Sequence, residues 1–130
     1  MGWTPGGKTI THDCEGYSGC MLGYLLALGS PTHPVGDDAW QAWTKTYDKT
    51  WGEFHGQTFL NFAPMFGHQS SHTWVDFPGI PDAWGRSHNM DSFANSRRAT
   101  YSHQASAVAT PAGWHGSCMN LWGLTASTNG

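Results

Sequence analysis

Charge is scarce in this chain. Asp, Glu, Lys and Arg make up 12% of its residues, about half the usual share, which excludes a self-repelling, disordered polyelectrolyte. Six Lys and Arg against nine Asp and Glu give a net charge of −3, so there is no basic footprint for nucleic acid. Long apolar runs are missing as well. The longest, Met21 to Leu28, is about a third of what spanning a bilayer requires. The opening residues Met1-Gly2-Trp3-Thr4-Pro5 lack the apolar centre of a signal peptide, so any leader of an exported parent is not in this chain. Cysteine is limited to Cys14, Cys20 and Cys118, at spacings that match neither a zinc ribbon nor a redox dithiol. That favours free, half-buried thiols over a single Cys14–Cys20 or Cys20–Cys118 bridge.

Aromatic residues supply the bulk that is present. Eight Trp, six Phe and four Tyr stand where Leu, Ile and Val would usually fill a core. With 130 residues and 38% hydrophobic residues by a count that omits Gly, the chain has enough for one domain, or for a piece of a larger one. Most of these rings belong in the core; two or three suit sugar stacking.

Periodicity gives helices. Tyr17 to Leu28 carries Met21, Tyr24, Leu25 and Leu28 on one stripe, stopped by Gly29 to Pro34. Asp37 or Asp38 is set to cap a second helix through Ala39, Trp40, Trp43 and Tyr47. Gly52 to Gly56 reads as loop, and Phe59 to Phe66 as an apolar segment whose helical part starts at Pro64. Asp91 caps the clearest helix, Ser92 to Ala109, ended by Pro111-Ala112-Gly113. Its Ala/Ser/Thr-rich middle requires a closely packed neighbour. The expected class is all-α.

The densest chemistry runs from Phe66 to Ser127. His68 and His72 are four apart, as in a helical zinc pair, but the zincin motif needs Glu where Gln69 stands. They are read instead as hydrogen-bonding groups, and no metal is called. Gly16-Tyr17-Ser18-Gly19-Cys20 lacks the last Gly of a nucleophile elbow. Adjacent Arg97 and Arg98 point about 100° apart, so one serves a pocket while the other pairs an acid such as Asp91 or Asp76. Polysaccharide hydrolysis needs two carboxylates in different protonation states. Asp76, two residues after Trp74, is the leading candidate.

Several ordered segments then carry a resemblance. They are Gly2-Trp3-Thr4-Pro5, Tyr24 to Pro34, Phe66-Gly67-His68-Gln69 with His72 to Phe77, Asn95 to Thr100, and Trp122 to Ser127. Together they resemble the glycoamylase-like domain of bacterial carbohydrate-active proteins, which includes endo-β-1,2-glucanases. The resemblance implies a portion of an (α/α)6 toroid of paired helices, a β-glucan or oligosaccharide partner, no cofactor, and a periplasmic or secreted parent. It makes residues 1–130 a partial domain. It also implies lost acids: Gly19 and Met119 stand where family patterns place glutamates. Trp74 and Trp122 are the expected sugar platforms, His68, Gln69, His72 and Arg97 the hydroxyl binders, and Asp76 the remaining catalytic carboxylate. The competing expectations are a non-catalytic binding module and a structural fragment that self-associates through exposed apolar surface.

Overall fold

The computed structural model describes residues 3–10, 14–109, 113 and 118–123. Readings that involve Met1, Gly2, Pro111, Ala112, Gly116, Ser117 or 124–127 lie outside the described residues. The elements run β1 (Trp3–Thr4), β2 (Lys8–Thr9), α1 (Met21–Leu28), α2 (Asp37–Thr44), β3 (Trp51–Phe54), β4 (Gln57–Leu60), α3 (Phe66–Gln69), α4 (Ala83–Ser87) and α5 (Ser92–Ala109). Single 3-10 turns at Tyr47–Lys49 and Ser70–Thr73 extend α2 and α3.

The all-α expectation is therefore corrected. Two antiparallel hairpins, β1–β2 and β3–β4, stand among the helices, and the fold is mixed. Gly52 to Gly56 is not a loop. Trp51 pairs Leu60 and Phe54 pairs Gln57, across a two-residue turn in which His55 (φ 48°) and Gly56 (φ 75°) are both left-handed. That is the primed turn whose twist suits a hairpin. Aromatic residues on both arms supply the strand propensity.

Three further expectations shift. Helix α1 begins at Met21 rather than Tyr17, because the chain first turns at Gly16 (φ 67°) and Cys14 and Cys20 form a disulfide rather than free thiols. A Cβ at Gly16 would strike the Thr50 side chain. Cys118 remains a free, exposed thiol. Gly36, in extended conformation, precedes α2, and Asp37 and Asp38 lie in its first turn, where they complement the helix dipole instead of capping it. Asp91 does cap α5: its Oδ1 accepts from the Ala94 N–H at 2.7 Å. Its Oδ2 accepts from Gly79 N–H at 2.8 Å, tying the preceding loop to the helix start.

Aromatic rings form the core, as the composition requires. Tyr17, Met21, Trp43, Tyr47, Leu60 and Phe77 are buried together. Tyr24 stacks on Trp43 with centroids 4.8 Å apart, and Trp43 Nε1 donates to the Gly16 carbonyl at 3.0 Å. Helix α5 packs on the β3–β4 hairpin. Ala99 is fully buried, which is the close approach its small residues allow. The amide of Asn95 holds β4: Oδ1 accepts from Leu60 N–H at 2.7 Å, and Nδ2 donates to Leu60 C=O at 3.4 Å. One turn further on, Arg98 Nη1 donates to the Thr58 carbonyl at 2.9 Å. Arg98 thus takes a backbone carbonyl rather than Asp91 or Asp76.

Candidate functional site

Helix α3, its 3-10 extension and one face of α5 enclose a groove of about 340 Å³, lined by His68, Gln69, His72 and Arg97 together with Phe93 and Tyr101. Ser96 and Thr100 complete its wall. On α5, residues 93, 97, 100 and 101 recur at helical spacing and so share a face.

Ser96 is the hub beneath the groove. Its hydroxyl donates to the His68 carbonyl at 2.6 Å, which uses its single proton. The contact of 2.9 Å between His72 Nε2 and Ser96 Oγ therefore has the imidazole N–H as donor. His72 also meets the Phe77 ring edge-on at 4.8 Å. Burial lowers its proton affinity, opposed by the Ser92 carbonyl and the charge of Asp91.

His68 sits deeper than a surface binder. It is 1% exposed, stacks on Tyr17 at 5.1 Å, and spends Nε2 on the Phe62 carbonyl at 3.0 Å. A carbonyl only accepts, so Nε2 carries the proton and Nδ1 is bare. That Nδ1 has no partner. Desolvation pushes the imidazole from 6.5 down to about 4, so it is neutral at pH 7.

The other expected residues are elsewhere. Trp74 is 74% exposed and Asp76 is exposed; neither lines the groove. Asp76 is exposed between half-buried Val75 and buried Phe77. Trp122 is half-buried, next to the Cys118–Leu121 bridge. Met119 is 64% exposed, and Gly19 lies against Ser70, one residue from Gln69. Among the described residues no carboxylate lines the groove. Asp82 and Asp91 are committed as helix caps, and Glu15 pairs Lys49 at 2.7 Å on the surface. Among the described residues no group of three His, Cys, Asp or Glu is placed to hold a metal ion. Nor, among the described residues, is any helix long and apolar enough to cross a membrane.

The model of the family described as "Putative glucoamylase" matches residues 11–130. The chain belongs to this glycoamylase family. A solved structure, that of "a putative glucoamylase from Bacteroides caccae ATCC 43185", is 27% identical with a TM-score of 0.74. The match covers 88% of this chain and 29% of the Bacteroides protein. No curated protein matches significantly. Membership makes the chain glycoside hydrolase-like and gives the groove a family context. Phe93, Ser96, Thr100 and Tyr101 were missed as site residues, although their spacing beside Arg97 was a readable helical stripe.

Proposed function

We propose that this chain forms a sugar-binding part of a glycoside hydrolase-like domain, that its ligand is a β-glucan, and that it does not itself cleave the glucan. The observation that supports this is the composition of the α3–α5 groove. Gln69 and Arg97 offer donors and an acceptor for hydroxyls, Phe93 and Tyr101 offer ring faces for C–H surfaces, and among the described residues no acid stands with them. Acid/base hydrolysis of a glycosidic bond needs a carboxyl pair about 5–10 Å apart across the bond. Gly19 and Met119 leave two positions without one. Exposed Trp74 extends the reading as a platform outside the groove, and a periplasmic or extracellular site of action accords with a polymeric substrate.

The name of the Bacteroides relative points instead to an α-glucan, so the test needs both linkages. Calorimetric titration with linear β-1,2-glucan is expected to show saturable binding, weakened about tenfold or more by Arg97→Ala. Maltooligosaccharides are expected to bind more weakly. Long incubations are expected to release no new reducing ends. Binding unaffected by Arg97→Ala would remove this groove from the reading. Reducing-end release abolished by Asp76→Asn would return Asp76 to a catalytic role.

A further inference from the structure

The face of α5 that holds the hairpin does not end where the strand contacts end. Asn95 and Ala99 pack on β4, and the same stripe continues as Ser102, His103 and Ser106, where a core face would normally carry apolar residues. These line a second groove, of about 170 Å³, closed on its other side by Phe54, His55, Phe59 and Asn61. The residues that line it are none of those that line the α3–α5 groove, so the two are separate, although His103 and Ser96 lie close in angle around the helix.

It is built, and its polar groups are unspent. His103 is 9% exposed and Ser102 4%, yet the side chains of His55, Asn61, Ser102 and His103 make no hydrogen bond among the described residues. His103 Nδ1 is fully buried without a partner. The neutral ring costs least with its proton on Nε2, the nitrogen left to face the groove. His55, at the first left-handed position of the hairpin turn (φ 48°), stands on the wall of the same groove.

The lining selects the ligand. Among the described residues it has no Asp, Glu, Lys or Arg, which disfavours an ion of either sign. Two imidazoles without a third ligand make a poor metal site. What remains is a neutral ligand with an apolar face for Phe54 and hydroxyls for Asn61, Ser102 and the two histidines. The volume is below the roughly 300 Å³ of ordinary ligand clefts, leaving room for a single ring. The geometry points to an accessory subsite for one pyranose ring of a glucan. This rests on the reading that the chain binds sugars, but not on the α3–α5 groove being where it does so.

The test follows histidine Hε1 resonances of the full chain while methyl β-glucoside is added. A saturable shift at His103 and His55 is expected. It should persist in Arg97→Ala and weaken about tenfold in Asn61→Ala, whose side chain holds nothing in the fold. His55→Asn, which keeps a residue suited to the turn, should weaken it as well. No saturable shift at His103, loss of the shift in Arg97→Ala, or a shift given by stoichiometric Zn²⁺ but not by the sugar would each overturn the subsite. His72 reports separately on the first groove. Silence there with a response at His103 would sink the α3–α5 reading alone.

Discussion

His68 shows how a residue chosen for its chemistry can be held by its surroundings. Its folded proton affinity is depressed to about 4 against 6.5 in the unfolded chain, so the unfolded state protonates first. Stability from this group is complete above about pH 6.5 and is lost as pH falls towards 4, by about 3 kcal/mol at most. His72 and His103 are displaced in the same direction by burial and steepen the decline. Urea unfolding at pH 7 and pH 4.5 should show it, and His68→Phe should flatten it. An unchanged midpoint in the wild type would mean that His68 is not buried neutral. Asn95 makes a second residue-level case. Asn95→Ala strips β4 of both side-chain bonds at Leu60 and leaves a buried N–H unpaired, at a cost of about 1–3 kcal/mol. A loss below 0.5 kcal/mol by denaturant titration would show that water replaces the amide. The sequence suggested Asn95 only through the family segment; nothing local to it announced a partner 35 residues away.

At the scale of elements, helices were easier to read than strands. The stripes Met21–Tyr24–Leu25 and Trp40–Trp43–Tyr47 were visible because a period near 3.6 repeats within ten residues, and both meet in the core. The β3–β4 hairpin was hidden because Gly52 and Gly56 look alike as letters. One lies within a strand, and the other supplies the left-handed turn. The start of α1 was obscured by a disulfide whose partners cannot be chosen from spacing. Asp91 was legible from its place before the helix and proves to do two jobs. Asp91→Ala should cost about 1–2 kcal/mol, with increased amide exchange at both Ala94 and Gly79. Exchange altered at Ala94 alone would separate the cap from the loop tether.

For the whole molecule, the proposed sugar groove carries hydrogen-bonding and ring groups but, among the described residues, no carboxylate. Sequence spacing put His68, Gln69, His72 and Arg97 forward, and folding lines them along one groove. It could not place Trp74, Asp76 or Trp122, because their positions depend on which way short non-helical segments face. The chain spans 29% of its Bacteroides relative, so a complete carboxyl pair is a question for the longer fold. If the resemblance's acid positions are right, joining this chain to a relative's remaining segments and introducing Gly19→Glu and Met119→Glu should raise reducing-end release above background. No gain in a well-folded product, shown by unchanged circular dichroism, would mean those positions are not the missing acids.

The grip of α5 on β4 has one more effect. An isolated hairpin presents two outer edges whose free backbone groups invite another chain to add a strand. Leu60 and Thr58 are two apart and so turn their polar groups to the same side. There, Asn95 and Arg98 meet them as a substitute strand made of side chains. The helix thereby occupies, at Leu60 and Thr58, the backbone groups to which a strand from a neighbouring molecule would otherwise add.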